Sequence, residues 1–158
     1  FYNFHLAEKK NKNKKIKFNN KIIHQSKLVG YFSDQMDIKK AEKELNKMLK
    51  KIKKNQKYYF STKDIIIIES LLSDGVNISE KNKEFLELDN ANIPTDIQVM
   101  INDGEMAMIL LRLVEIIGED NIKDLGTESL YFILSTLNKL NIDRIRNDII
   151  LKTIPLKA

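Results

Sequence analysis

The chain has 158 residues, enough for one ordinary domain with a single hydrophobic core. It contains no cysteine, which excludes disulfide bridges, thiolate zinc sites and cysteine nucleophiles. The net charge of +5 combines two parts of opposite sign: residues 1–60 hold 17 lysines and 5 acids, whereas residues 61–158 hold 10 basic residues and 17 acids. Because the sequence begins at Phe1 rather than Met, we expect a longer chain, and the cellular compartment is undetermined.

The lysine-rich part, residues 1–60, is predicted to combine a flexible linker with one amphipathic helix. Phe1–Ala7 has the pattern of a helix end, and Glu8–Asn20 has the composition of a solvated linker. Lys21–Phe32 is compatible with a short strand or with a helix. Asp37 is placed to cap a helix that runs to about residue 55, with apolar residues on one stripe and lysines on the other face.

A helical domain is predicted over residues 61–158. Ser61 and Asp64 have the spacing of a capping box at the start of its first helix. The run Ile65–Ile68 inside that helix is equally good strand material, so both conformations stay open. The following acidic connection is expected to be irregular, with a short helix around Glu80–Leu88.

From Thr95 onward the sequence predicts four successive helices. Their assigned N-caps are Thr95, Asp103, Thr127 and Asn141. The second helix, which ends near Ile117, is apolar nearly all the way round, so we expect neighbours to cover it on more than one side. The predicted fold class is therefore all-α.

The last two of these helices, within residues 130–154, resemble a tetratricopeptide-type helical hairpin. The residues that carry the resemblance are Leu130-Tyr131, Leu137, the turn Lys139-Leu140-Asn141, Asp143, Ile145 and Ile149. The resemblance implies antiparallel helical hairpins of the kind that end an α-solenoid. It also implies that the partner is another protein.

Residues for catalysis or metal binding do not form a recognisable pattern. His5 and His24 lack metal-ligand spacing, and no glycine-rich phosphate loop or activated serine motif is present. The acidic groups at 103–105 and 119–124 are assigned to helix ends and loops. We therefore expect a protein that is not an enzyme and has no metal or cofactor, and no small-molecule substrate is evident.

The lysine face of the helix capped by Asp37 is the one concentrated feature with a partner chemistry. Its candidate anion-binding residues are Lys43, Lys47, Lys50, Lys51 and Lys54. Lysines neutralise phosphates without reading sequence, and the adjacent run Tyr58-Tyr59-Phe60 could stack on bases or meet lipid headgroups. The same face would also arise from the lysine bias of an AT-rich genome.

Two function hypotheses result. The first is a non-catalytic protein-interaction or scaffold module of helical-repeat type. The alternative is a binder of nucleic acid or acidic membrane through the lysine-rich helix 38–57.

Overall fold

The computed structural model describes residues 18–55, 57–84, 86, 95–119 and 121–154, and the regular structure in these ranges is entirely helical. The α-helices are α1 (Ile38–Lys53), α2 (Thr62–Ser73), α3 (Glu80–Lys83), α4 (Thr95–Asn102), α5 (Met106–Ile117), α6 (Thr127–Lys139) and α7 (Asp143–Thr153). Three 3₁₀ helices accompany them: η1 (Ile23–Gln25), η2 (Lys27–Ser33) and η3 (Ile122–Asp124). The all-α fold class is confirmed. Within these ranges, every helix is too short or too polar to cross a membrane.

Helix α2 lies at the centre of the fold. The predicted capping box is present, because Ser61 Oγ accepts the N–H of Asp64 while the Asp64 carboxylate accepts the N–H of Ser61. Ile66, Ile67 and Ile68 are all buried, since η1 and α6 both pack against this helix. Burial on several sides explains the unbroken isoleucine run, whose conformation is helical rather than extended.

The hydrophobic core joins the lysine-rich part of the chain to the helices after residue 61. η2 lies against both α1 and α7, and α6 lies against α2 and α7. Each large aliphatic side chain buried here contributes about 1.5–3 kcal/mol relative to exposure. Helices α1, α2, α6 and α7 contribute most of the buried side chains: Ala41, Leu45, Met48, Leu49 and Ile52 of α1, Ile66, Ile67, Ile68 and Leu71 of α2, Leu130, Ile133, Leu134 and Leu137 of α6, and Ile149 and Ile150 of α7.

Helices α4 and α5 pack on each other at the edge of this core. Leu113 is the α5 side chain buried within the core, whereas Ile97 of α4 and Ile109 of α5 are buried outside it. The opposite side of α5 is apolar and exposed. We expected neighbours on more than one side of this helix, and among the described residues only one side is covered.

The N-terminal predictions are resolved in part. The side chain of Asp37 accepts the N–H of Lys40 at 2.8 Å, so the predicted cap of α1 is confirmed. Lys21–Phe32, where the sequence allows strand or helix, contains η1 and all but the last residue of η2. The prediction for Phe1–Ala7 and nearly all of the predicted linker lie outside the described residues, as does the side chain of Gln98 in the second predicted capping box.

Three assigned caps in the C-terminal part are wrong. Asp103 lies in a turn, and α5 begins only at Met106. Thr127 is the first residue of α6, with Gly126 in the cap position. Asn141 has a φ of 55° and follows the end of α6 in the left-handed region. Small polar residues favour turns, first helical turns and left-handed positions as well as caps, so residue type alone does not separate these roles.

Candidate functional site

Helix α1 presents a continuous surface of lysines to solvent, because its opposite side is fixed in the core. At 100° per residue, six exposed lysines of α1 and the exposed Lys54 that directly follows it fall within an arc of about 120° centred opposite the buried side. We call this surface the lysine arc; its members are Lys39, Lys40, Lys43, Lys47, Lys50, Lys51 and Lys54. The five candidate anion-binding lysines of the sequence prediction all belong to it.

The lysine arc contains no acidic residue of α1. Glu42 lies at one edge, where its carboxylate accepts the N–H of Asn77 at 3.1 Å. Glu44 lies at the other edge, with its carboxylate 4.0 Å from Lys47 Nζ. Like charges four residues apart on a helix repel by a few tenths of a kcal/mol. The arc, which is about 22 Å long, is therefore held in place by the packing of α1 on the core.

The aromatic run that follows α1 offers one exposed ring rather than three. Tyr58 donates its hydroxyl to Asp64 Oδ2 at 3.0 Å, and its ring packs edge-on against Phe60 with centroids 5.3 Å apart. Burial and the charge of Asp64 raise the pKa of Tyr58. Tyr59, in contrast, is 87% exposed. Only Tyr59 is available for the stacking or lipid contact predicted for the run.

A groove of about 800 Å³ lies between η2 and the outward side of α7. Its apolar lining consists of Phe32, which is buried, and of Ile145 and Leu151, which are 48% and 41% exposed. Ligand clefts in proteins have volumes of roughly 300–1,000 Å³, so the groove has room for a few side chains of a partner. Its polar lining comes from Ser33, Asp34, Arg144, Asn147 and Asp148.

The charges of the groove differ in how they are paired. Asp148 lies 2.6 Å from Lys152 Nζ on the same helix, and both side chains are more than half exposed. Asp34 follows η2 with a φ of 58°, and its exposed carboxylate has no ion pair with another described residue. Arg144 is also exposed. The groove thus combines apolar side chains with two carboxylates and one guanidinium, a set suited to holding a peptide by apolar and charged contacts.

A buried ion pair holds the α7 wall of the groove in position. Arg146, which is fully buried, donates from Nη1 and Nη2 to the two oxygens of Asp74, both at 2.7 Å. The same guanidinium donates to the side-chain oxygens of Asn138 and Asn147. Asn147 also lines the groove. Because Asp74 directly follows α2 and Asn138 belongs to α6, these hydrogen bonds link α7 to α6 and to the end of α2.

Tyr31 connects η2 to this ion pair. Its hydroxyl donates to Asp74 Oδ2 at 3.0 Å. Burial, together with the hydrogen bond to Asp74 and the charge of that carboxylate, raises the pKa of Tyr31 to about 12. The neutral phenol is therefore the form that belongs to the folded state at ordinary pH.

His24 and Asp64 form a polar cluster across 40 residues of sequence. His24 Nδ1 lies 2.7 Å from Asp64 Oδ1, and the backbone N–H of His24 donates to the same oxygen at 2.9 Å. Ser61 Oγ lies 3.4 Å from the same ring nitrogen. In a Ser-His-Asp triad the serine and the acid contact opposite nitrogens of the histidine. Here both contact Nδ1, so the arrangement is not that of a hydrolase triad.

The cluster acts as a clamp between η1 and the start of α2. Burial by itself would raise the pKa of Asp64. The hydrogen bonds from His24 and Ser61, with the charge of His24, outweigh burial and hold the pKa below its usual value. Sequence reasoning missed this role of His24, because no local spacing links it to Asp64.

Within the described ranges, no group of three or more acidic or histidine side chains is arranged to hold a metal ion. His5 lies outside those ranges. The chain matches no protein-family model, no curated protein and no solved structure. The lysine arc and the groove between η2 and α7 are the two candidate binding surfaces of the described residues.

Proposed function

We propose that this protein is a non-catalytic interaction module of helical-repeat type that binds a peptide segment of another protein in the groove between η2 and α7. The observation that carries the proposal is the composition of the groove. Half-exposed Ile145 and Leu151 lie in it beside the carboxylates of Asp34 and Asp148. Concave surfaces with an apolar lining and a few polar groups are the usual sites of ligand binding.

The partner segment we infer carries an apolar side chain next to a basic one. An apolar side chain that covers Ile145 and Leu151 would gain about 1 kcal/mol at each, since both are close to half exposed. A lysine or arginine of the partner would give Asp34 a charge-assisted hydrogen bond. The Asp148–Lys152 pair is exposed and contributes at most about 1 kcal/mol, so Asp148 can exchange its partner.

The resemblance to a tetratricopeptide-type hairpin supports this proposal. Its residues belong to α6, α7 and the turn between them, and one of them, Ile145, lines the groove. Helical-repeat proteins present binding surfaces between successive elements. We therefore also propose that the hairpin of α6 and α7 is the C-terminal end of an α-solenoid.

A peptide titration tests the groove. A fluorescently labelled peptide of leucines and lysines is compared with one in which glutamates replace the lysines, and anisotropy is followed as protein is added. We expect the lysine peptide to bind more tightly. Leu151→Ser and Asp34→Asn should each weaken its binding about fivefold.

Asp34→Asn tests the charge alone, because asparagine also tolerates the positive φ of this position. Asp103→Asn, which changes an exposed acid in the turn before α5, is the matched control and should bind the lysine peptide as the wild type does. Equal binding of the two peptides would contradict the proposal. So would unchanged binding by both groove variants.

Binding of an anionic surface is the second candidate function, and the lysine arc favours it. Seven exposed lysines with no acid among them attract the phosphates of a nucleic acid whatever its base sequence. The apolar side of α1 belongs to the core, so this helix would contact a lipid surface through charge, at about 1 kcal/mol per lysine, without inserting that side. Tyr59 is the ring available to stack on a base.

Matched charge removal tests this second candidate. One variant replaces Lys47, Lys50, Lys51 and Lys54 by glutamine, and the control replaces the exposed Lys21, Lys27, Lys123 and Lys139, so that both lose four charges. On a phosphocellulose column, the arc variant is expected to elute at lower salt than the control. Elution of the two variants at the same salt concentration would show that total charge, and not the arc, determines retention.

A further inference from the structure

Asn147 presents its side-chain amide to the groove between η2 and α7 in a fixed orientation. Arg146 donates to Asn147 Oδ1 from Nε at 3.0 Å and from Nη2 at 2.8 Å. A guanidinium has only donors, so the atom of the amide that faces it is the oxygen. The amide nitrogen of Asn147 is therefore turned away from Arg146, and its two N–H groups have no acceptor among the residues that the structure describes.

The other asparagine bound to Arg146 differs in this respect. Asn138 accepts from Nη1 at 3.0 Å with its oxygen and donates to Ser70 Oγ at 3.3 Å with its nitrogen. Both ends of that amide are used within the protein. Asn147, which lines the groove and is partly exposed, uses only its oxygen. Its nitrogen is thus a donor held ready for a ligand of the groove.

Ser33 presents the complementary group from the η2 wall. Its Oγ lies 3.1 Å from the backbone oxygen of Gly30, and because a carbonyl oxygen can only accept, the hydroxyl proton is used in that bond. The hydroxyl oxygen keeps its capacity to accept, and within the described ranges no group outside the neighbouring backbone uses it. Ser33 is partly exposed and lines the groove. The groove therefore has an oriented donor on one wall and an oriented acceptor on the other.

We propose that the groove holds its partner by the main chain, a proposal that rests on the peptide-binding function above. One peptide group of an extended segment accepts from Asn147 Nδ2 with its C=O and donates to Ser33 Oγ with its N–H. In a trans peptide group the C=O and the N–H point in opposite directions, so a peptide group between the two walls can contact both. Every residue except proline supplies this pair of groups, so the contact excludes proline and is otherwise independent of sequence.

An extended segment also accounts for the side chains inferred for the partner. Successive side chains of an extended chain point to opposite sides. An apolar residue can then face the apolar lining of the groove while its neighbour, a lysine or arginine, faces the exposed carboxylate of Asp34. From Ile145 to Leu151 the α7 wall rises about 9 Å, which corresponds to about three residues of an extended chain. The groove thus has room for a short core of the partner.

Asn147→Asp tests the donor with little change to the fold. The carboxylate of this variant still accepts from Arg146, but an acceptor replaces the donor that faces the groove. The probe is a labelled peptide with one Leu-Lys-Leu core between glycines and serines, and its binding should weaken about tenfold, although the added negative charge alone would favour the lysine. Asn121→Asp is the matched control, because Asn121 Oδ1 accepts a backbone N–H outside the groove, and it should leave binding unchanged.

Methylation of the peptide backbone tests the acceptor. Peptides methylated at one backbone nitrogen at a time should lose about tenfold in affinity where that nitrogen faces Ser33, and methylation in the glycine and serine flanks should be tolerated. Ser33→Ala should weaken binding of the unmethylated peptide about threefold and should reduce the methylation penalty by the same factor, as expected for two groups in contact. Ser79→Ala changes an exposed serine outside the groove and is the control.

These experiments separate the two levels of the proposal. A lysine peptide that binds no better than its glutamate counterpart would overturn the peptide-binding function itself. A lysine peptide whose binding depends on Leu151 and Asp34, but which Asn147→Asp binds as tightly as the wild type, would overturn main-chain recognition alone. Tolerance of methylation at every nitrogen, or an equal methylation penalty in Ser33→Ala and the wild type, would do the same.

Discussion

Replacing Asp74 by alanine is expected to be among the most destabilising single changes in this chain. Arg146 is fully buried and makes two hydrogen bonds of 2.7 Å to the Asp74 carboxylate. Without that carboxylate the guanidinium keeps two side-chain amide oxygens and one oxygen of Asp143 at 3.3 Å. Tyr31 also loses the acceptor of its hydroxyl. A buried positive charge is then left with incomplete compensation.

The expected loss in the free energy of unfolding is about 3–4 kcal/mol. Removing one partner of a buried ion pair costs about 3–5 kcal/mol, and the lost Tyr31 hydrogen bond adds about 1 kcal/mol. The remaining oxygens around Arg146 reduce the total. Because domains are stable by about 5–15 kcal/mol, this loss is a large fraction of the whole.

Urea unfolding, followed by far-UV circular dichroism, measures the effect. Asp143→Ala is the matched control, because its carboxylate also contacts Arg146 but is 53% exposed, and it should cost less than about 1 kcal/mol. Combining Asp74→Ala with Arg146→Met removes the unpaired charge, so the double variant should be less destabilised than the sum of the two changes. Equal costs for Asp74→Ala and Asp143→Ala, or strict additivity in the double variant, would refute the reasoning.

Three further predictions concern pH and backbone conformation. Because the pKa of Asp64 is lowered from 3.8, its contribution to stability is present above that value and is lost as pH falls through the folded pKa. Asp64→Asn should therefore lose less stability than the wild type as pH falls, when unfolding is followed by circular dichroism. An equal loss in both proteins would contradict this. The pKa of Tyr31 is raised from 10.0 to about 12, so its contribution is lost as pH rises through that interval, and Tyr31→Phe should remove the corresponding slope from the alkaline limb. Gly75 has a φ of 91° with open space where a Cβ would lie, so Gly75→Ala should cost about 1–2 kcal/mol in urea unfolding. Gly126 is also in open space but has a φ of −60°, so Gly126→Ala should change the free energy of unfolding by about a few tenths of a kcal/mol. Equal costs would show that φ is not the cause.

Local rules were sufficient to predict helix α1 and its lysines. Asp37 supplies a side-chain cap, and the three- and four-residue spacing of apolar positions determines which side is buried. The exposure of Lys47 and Lys50 follows from that spacing alone. The function of those lysines does not follow, because exposure is also the ordinary state of a lysine on any surface helix.

The groove and the buried clusters could not be predicted, because they join residues that are distant in the chain. Arg146 meets Asp74 across 72 residues, and His24 meets Asp64 across 40. In the sequence, Arg144 and Arg146 are two arginines of one polar segment, yet the first is exposed and the second is fully buried. Only the packing of α7 on η2 and α6, with the ion pair between Arg146 and Asp74, distinguishes them.

The arrangement of partners around α6 and α7 determines how this chain can be divided. A fragment that begins at residue 95 would include both helices but would leave behind α2, against which α6 packs, and Asp74, to which Arg146 is bound. A fragment that ends at residue 94 would expose the side of α2 that α6 covers and would leave Asp74 without Arg146. Deletion studies that treat the C-terminal helices as a separate unit would therefore report the loss of folding rather than the loss of a binding surface, and point substitutions are the appropriate means of locating function here.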